Sequence, residues 1–184
     1  MHHKFVRLFT ALAVLLVTLP ATLDAQVRRG RQAEEAPPWA PIAIGVKVGY
    51  DSSTNGEVLG AQVRIPVVRA GTIELYPNLE IAWPPAGGKE YQYNIDAAWV
   101  PGGVRGGVFA GGGVGWRDSL IGTDLGNPRQ TLIGFNAFGG GKTSIGPVQV
   151  ELVLRWTFLK DTQYQPNSAG IGVNLPLWNV APQR

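Results

Sequence analysis

Apolar and polar residues alternate with a period of two along most of the chain from residue 42 onward. Near the C-terminus, Val150, Leu152 and Leu154 fall on one face of such a segment, and Gln149 and Glu151 fall on the other. Alternation of this kind is typical of a β-strand with two different faces. Eight segments show it, at residues 42–50, 58–68, 72–83, 90–100, 103–117, 130–143, 147–159 and 169–178. The sequence therefore predicts an all-β protein.

The lengths of the segments and of their connections narrow the fold class. A tilted strand needs about 9–11 residues to cross a membrane, whereas strands of soluble proteins usually have about 5–6 residues. The connections at 51–57, 84–89, 118–129 and 160–168 are longer than those between them, at 69–71, 101–102 and 144–146. Membrane barrels have short turns at one end and longer loops at the other. We predict an eight-stranded antiparallel up-and-down transmembrane β-barrel.

Three prolines and two glycine-rich stretches fall within the predicted strands. Proline cannot donate a hydrogen bond to a strand ladder, but the alternation continues in phase across Pro77, from Leu75 to Leu79. We therefore expect a local distortion and no break at Pro66, Pro77 and Pro176. The glycines of 102–115 and 134–141 would leave room for long side chains inside a narrow barrel.

The positions of the aromatic residues indicate which face points outward. A soluble barrel has apolar side chains inside, whereas a membrane barrel has them outside. Tryptophan and tyrosine favour the membrane–water interface, because their rings are apolar with one polar group. Eight of them lie at or near ends of predicted strands and are predicted interface residues: Trp39, Tyr50, Trp83, Tyr91, Trp99, Trp116, Trp156 and Trp178.

The charged residues of the strands fall on the opposite, polar face. Eight strands enclose an interior that side chains just fill, and an unpaired ion in such an interior costs several kcal/mol. Cations and anions on this face are nearly balanced, so the sequence predicts a network of ion pairs in the lumen. Its predicted members are Lys47, Arg64, Glu74, Glu80, Asp96, Arg105, Arg117, Lys142, Glu151 and Arg155.

The start of the chain has the pattern of an export signal. Lys4 and Arg7 precede an apolar run at 8–19, which is too short to span a bilayer as a helix, and Ala25 provides a small residue for cleavage. We predict a signal peptide at 1–25, a flexible N-terminal segment at 26–41, the barrel at 42–178 and a C-terminal tail at 179–184.

Composition excludes several kinds of chemistry. The chain has no Cys, and His2 and His3 are its two histidines, both within the predicted signal peptide. A Ser–His–acid site needs an imidazole, and zinc sites are built from His and Cys. We expect no cofactor, no metal and no enzyme activity. The segment Gly139–Thr143 lacks the first glycine of a phosphate-binding loop, so it is not expected to bind phosphate. The net charge of +3 is not clustered, so nucleic acid is not an expected partner.

Acidic residues near the strand ends are predicted to lie in solvated loops. Their spacing matches no calcium-binding loop. They are Asp51, Glu57, Glu90, Asp118, Asp124 and Asp161.

With its signal peptide, eight alternating strands and long loops, the chain resembles the small outer-membrane β-barrels of the OmpA-barrel, OmpX and opacity-protein type over residues 40–178. The final segment, 170–178, is similar to the terminal strand that such proteins present to the barrel-assembly machinery. The resemblance implies a location in the cell outer membrane, contact with outer-membrane lipid and assembly by that machinery. A resemblance to the lipid A palmitoyltransferases or deacylases of this architecture would imply a serine nucleophile or a catalytic histidine.

Three functions remain open at this point. The first is a structural, adhesive or surface-interaction role, in which the external loops 51–57, 118–129 and 160–168 contact an unknown surface ligand. The second is a narrow channel for ions or small solutes. The third is a soluble periplasmic lipid-binding barrel.

Overall fold

The chain folds as a closed β-barrel. The computed structural model describes residues 39–85, 87–103, 106–119, 130–160 and 165–179. Each strand pairs antiparallel with the next, and β1 also pairs with β8, which closes the sheet. The predicted eight-stranded up-and-down barrel is confirmed. Its strands are β1 (Pro41–Asp51), β2 (Gly56–Pro66), β3 (Ile73–Trp83), β4 (Glu90–Trp99), β5 (Gly107–Ser119), β6 (Gln130–Ile145), β7 (Val148–Leu159) and β8 (Asn167–Asn179).

The outer surface of the barrel is apolar and the interior is polar. Val48 and Val108 point outward with 59% and 71% of their surface exposed, whereas Lys47 and Arg64 are buried. This orientation follows from the two-residue period, because successive side chains of a strand point to opposite faces. It is the reverse of a soluble lipid-binding barrel, in which the apolar face points inward. Within the described residues, no helix is long and apolar enough to cross a membrane.

The local distortion predicted at the prolines is present at Pro77 and Pro176, but the prediction is wrong at Pro66, where strand β2 ends two residues before its predicted end. Strand β3 continues through Pro77, but the pairing of β2 with β3 is interrupted between Gln62↔Asn78 and Ile65↔Leu75 and then resumes in the same register. Proline has no N–H for the ladder, which accounts for the interruption. At the other two sites, Pro66 ends β2, and the β1–β8 register shifts beside Pro176.

The predicted alternation of loop lengths is wrong in the first half of the barrel, where the connection predicted to be short at 101–102 extends over 100–106 and is longer than that at 84–89. The turn between β1 and β2 comprises only residues 52–55, and the next connection, 67–72, is longer. Asp51 and Gly56 pair across the turn, so both strands extend into the predicted loop. The Asp51 carboxylate accepts hydrogen bonds from the N–H groups of Ser53 (2.8 Å) and Thr54 (3.3 Å), and Asn55 has a positive φ of 51°. These contacts close a tight turn.

Some predicted segments lie outside the described residues. They include the predicted signal peptide at 1–25, most of the flexible segment at 26–41, residues 120–129 between β5 and β6, and positions 180–184 of the tail. Observed strand β8 reaches Asn179, one residue into the predicted tail.

Candidate functional site: the charged lumen

The buried charges form three groups along the barrel axis. We call the end where β1 ends and β2 begins the upper end. The upper tier consists of Asp51, Glu90 and Arg117; the middle tier consists of Lys47, Glu80, Asp96 and Arg155; the lower tier consists of Arg64, Glu74, Lys142 and Glu151.

The upper tier is centred on Arg117 of β5. Its guanidinium lies 2.6 Å from the Asp51 carboxylate of β1 and 2.7 Å from the Glu90 carboxylate of β4. The same guanidinium donates to the Gln92 side-chain oxygen (2.8 Å), and the Ser119 hydroxyl donates to Glu90 (3.1 Å). The prediction that Asp51 and Glu90 lie in solvated loops is therefore wrong. Both are buried because strand pairing carries them into the lumen on the polar face.

The middle tier joins four strands. Lys47 of β1 lies 2.5 Å from Glu80 of β3, and Arg155 of β7 lies 2.7 Å from Asp96 of β4. The Arg155 Nε atom is also 3.4 Å from Glu80, which connects the two pairs. Amide side chains lie beside these ions. One of them, Asn136, donates a hydrogen bond to the Asp96 carboxylate at 3.0 Å.

The lower tier surrounds Glu74 of β3. Its two carboxylate oxygens accept hydrogen bonds from Arg64 Nη1 and Lys142 Nζ, each at 2.5 Å. Arg64 also forms an ion pair with Glu151 of β7. The Tyr76 hydroxyl donates to the side-chain oxygen of Gln62 at 2.6 Å. Four strands are thus joined through Arg64 and Glu74.

An apolar cluster packs against the lower tier. The Arg64 guanidinium lies 4.5 Å from the ring centroid of Tyr76 and 4.8 Å from that of Phe109. Facing glycines make room for the aromatic rings: a Cβ on Gly111 would approach the Phe138 ring to 2.6 Å, and one on Gly140 would approach the Phe109 ring to 2.9 Å. The cluster comprises Tyr76, Ala98, Val100, Phe109, Phe138 and Val153.

Nine of the ten predicted lumen residues are buried inside the barrel, and Arg105 lies outside the described residues. Among the residues that the structure describes, every lumen cation has at least one carboxylate within ion-pair distance. Sequence reasoning missed Asp51 and Glu90. The two-residue period could have identified them, because Asp51 falls on the same strand face as Lys47 and Glu90 on the same strand face as Asp96.

The predicted interface aromatics lie near the two ends of the strands. Tyr50, Trp83 and Tyr91 are at the upper end, with Trp116 three residues from the end of β5 and Trp156 three residues from the end of β7. Trp99 lies at the lower end, exposed by 62%. Trp39 is also at the lower end, and its ring centroid lies 5.9 Å from the guanidinium carbon of Arg69. The side chain of Trp178 is outside the described part of the chain. Their role at a membrane interface remains a prediction.

The tiers can hold the barrel together and fill its centre. The charged side chains point toward one another across the barrel axis, so each of them is paired with an oppositely charged side chain of another strand. The described residues contain no group of three or more acidic, His or Cys side chains arranged to hold a metal ion.

Solved structures provide the comparison, because no family model and no curated protein sequence matches the chain. The N-terminal β-barrel domain of OprF from Pseudomonas aeruginosa has a TM-score of 0.62 and 13% identity, and the match covers 76% of this chain and 98% of that one. Neisserial surface protein A has a TM-score of 0.54 and 14% identity, covering 74% and 96%. The chain has the fold of the small outer-membrane β-barrels. The outer-membrane enzyme PagL has this fold too, with a TM-score of 0.52, 12% identity and coverage of 73% and 99%.

Proposed function

We propose that this small outer-membrane barrel is a non-conducting, non-catalytic protein that presents a surface for interaction at its upper, external end. The observation that carries the proposal is the filled lumen. Tyr76 and Asn174 have no exposed surface, and Glu151 and Arg155 are 1% exposed. Ion pairs in all three tiers cross the space that a permeating ion would need. The filled lumen therefore favours this role over the channel hypothesis.

The chemistry of the lumen supports a non-catalytic role. Ser119 and Thr157 are buried hydroxyls, and they contact Glu90 and Gln92 respectively. Beyond His3 the chain has no histidine to act as their base. Each of the described lumen carboxylates lies within ion-pair distance of an arginine or lysine side chain, which favours a structural role for it.

The upper end supports the surface-interaction role, because two of its connections are fixed together. The Ser52 hydroxyl donates to the Asn167 carbonyl (3.2 Å), and the Ser53 hydroxyl donates to the Gln165 carbonyl (3.0 Å). The Ser52 N–H also donates to the Asn167 carbonyl at 2.9 Å. Ser52 and Asn55 remain exposed. A pre-ordered surface loses little conformational entropy when it binds a partner.

Conductance in planar bilayers tests the closed lumen. We expect the wild-type barrel to produce no steady openings. A Phe109→Ala/Phe138→Ala variant serves as the positive control, because it removes two rings of the apolar cluster and should leak. Steady wild-type openings that change when Arg64 or Glu80 is neutralised would instead show a channel.

Cysteine labelling tests which end is external, and the absence of native Cys makes it direct. Asn55→Cys places a thiol in the upper turn, and Pro101→Cys places one in a lower turn. We expect a membrane-impermeant maleimide to label Asn55→Cys in intact cells and to label Pro101→Cys only after permeabilisation. The reverse pattern would refute the proposed orientation.

A further inference from the structure

The Asp51 carboxylate belongs to two hydrogen-bond networks at once. One of its oxygens accepts hydrogen bonds from the backbone N–H groups of Ser53 (2.8 Å) and Thr54 (3.3 Å), which lie in the turn between β1 and β2. The other oxygen accepts from the Arg117 guanidinium inside the lumen, at 2.6 Å. Asp51 is itself only 1% exposed. One buried side chain therefore joins the ion pairs of the upper tier to the turn at the upper end.

The same turn is hydrogen-bonded to the chain at the start of β8. The Ser53 hydroxyl donates to the Gln165 carbonyl (3.0 Å) and accepts from the Asn167 N–H (3.1 Å). The Asn167 carbonyl accepts in return from the Ser52 N–H, at 2.9 Å. The hydrogen bonds of the Asn167 and Ser52 N–H groups involve no atom of an upper-tier side chain. They can therefore report on the order of the turn without being part of the ion pairs.

Arg117 is positioned from the opposite side of the barrel. It lies on β5, which is four strands from β1 in either direction around the sheet. Its Nε donates to the Glu90 carboxylate and its Nη1 to the Gln92 side-chain oxygen, each at 2.8 Å. A guanidinium carries its N–H donors in a rigid plane, so these two contacts fix the direction of the N–H that reaches Asp51.

We propose that Arg117, Asp51 and Ser53 form a latch that orders the upper surface from inside the lumen. Without the guanidinium, one oxygen of Asp51 would be buried without its partner, and the carboxylate would turn away from the N–H groups of the turn to reach water. Ser53 would then release the start of β8. Arg117 is a positioning residue that acts on this surface through Asp51. The latch goes beyond the surface-interaction role, because it states what keeps the surface ordered.

Amide hydrogen exchange, measured by NMR on the full chain in phospholipid nanodiscs, tests the latch. The reporters are the N–H groups of Ser52 and Asn167. We expect Arg117→Met to raise their exchange rates at least about tenfold, because hydrogen bonds to charged groups are the stronger ones and their loss favours local opening. The Lys160 N–H, which donates to the Ile133 carbonyl at the same end of the barrel, should exchange as in the wild type.

Arg64→Met is the matched control. Arg64 lies between two carboxylates of the lower tier, as Arg117 does in the upper tier. The control variant removes the same charge from the lumen, but it should leave both reporter N–H groups at their wild-type exchange rates. Equal acceleration by the two arginine variants would show a general loosening of the barrel and would overturn the latch.

Asp51→Asn decides the question if Arg117→Met fails to fold, because Arg117 then keeps Glu90 and Gln92 as partners. A side-chain amide has one oxygen in place of two, so one of the two networks loses its acceptor. We expect the Asn167 N–H to exchange faster in this variant as well. Wild-type rates at the reporters in either folded variant would overturn the proposal. Exchange rates do not depend on conductance or on which end is external, so the latch can fail while the proposed function stands.

Discussion

At the scale of single residues, the fold depends on side chains that are buried in pairs. Moving an ion from water into a protein interior is expensive, and removal of one partner leaves the other uncompensated. Arg155 is a sensitive position, because it contacts both Asp96 and Glu80 and its guanidinium lies 5.1 Å from the Phe138 ring centroid. One guanidinium therefore connects two acidic side chains with the apolar cluster.

We predict that Arg155→Ala destabilises the folded barrel by about 3–5 kcal/mol, the typical cost of breaking a buried ion pair. The urea midpoint of reversible unfolding in lipid bilayers measures the effect. Glu57→Ala is the control, since Glu57 is an exposed side chain, and should change stability by less than about 0.5 kcal/mol. Equal midpoints for the two variants would show that the middle tier contributes little to stability.

Sequence alone predicts which face each lumen residue occupies but not the ion-pair partners. Parity assigns a face because a strand has a period of two. The pairing of Arg64 with Glu151 depends on barrel closure, since these residues are on β2 and β7 and 87 positions apart. Asp51 was missed because the end of β1 depends on turn contacts of the Asp51 carboxylate itself, and a polar sequence does not reveal such contacts. Glu90 was assigned to a loop although it is the first residue of the predicted strand 90–100 and falls on the polar face of that strand.

At the scale of strands, the barrel depends on hydrocarbon outside as much as on ions inside. Strand β7 shows both requirements: Glu151 points into the lumen, and Leu152 points outward toward its β8 partner Ile171. Because neighbouring residues meet opposite environments, one substitution can test the outer face without changing the lumen.

We predict that Leu152→Arg reduces assembly into membranes. Arginine on the lipid face costs about 2–4 kcal/mol at the bilayer midplane and about 0–1 kcal/mol near the interface. The matched control is Ile145→Arg, because Ile145 also points outward with 65% exposure but lies beside the lower turn between β6 and β7. The yield of folded, heat-modifiable protein should fall strongly for Leu152→Arg and little for Ile145→Arg. A similar yield for both variants would contradict the predicted depth.

The number and order of strands could be predicted because every strand carries the same alternating signal. The interruption at Pro77 was also predictable, since leucines stay in phase on both sides of it. Connection lengths were less predictable: β2 ends at Pro66 and β5 begins at Gly107, so two connections predicted to be short are longer. At the start of β5 the backbone has positive φ angles of 85° at Gly106 and 109° at Gly107, which the alternation of side chains does not reveal.

At the scale of the whole molecule, the pairing of β1 with β8 distinguishes a closed barrel from an open sheet. It joins the first and last strands, and closure leaves no unpaired edge in the hydrocarbon region. Lys47 of β1 and Glu151 of β7 lie close to this seam, on the inner face. Val48 and Ile171 are partners across it on the outer face, where they do not take part in the tiers.

A disulfide across the seam tests closure. Directly opposed residues of antiparallel strands have Cα atoms about 4.5–5.5 Å apart, which is within the range of about 4.4–6.8 Å for disulfides. We predict that Val48→Cys/Ile171→Cys oxidises readily and that the heated, unreduced protein then migrates faster on a denaturing gel than the reduced protein. Val48→Cys/Leu152→Cys is the control, because β7 and β1 are not neighbours. Crosslinking of the control pair alone would show a different strand order, whereas the predicted pattern requires that β1 and β8 meet in this register.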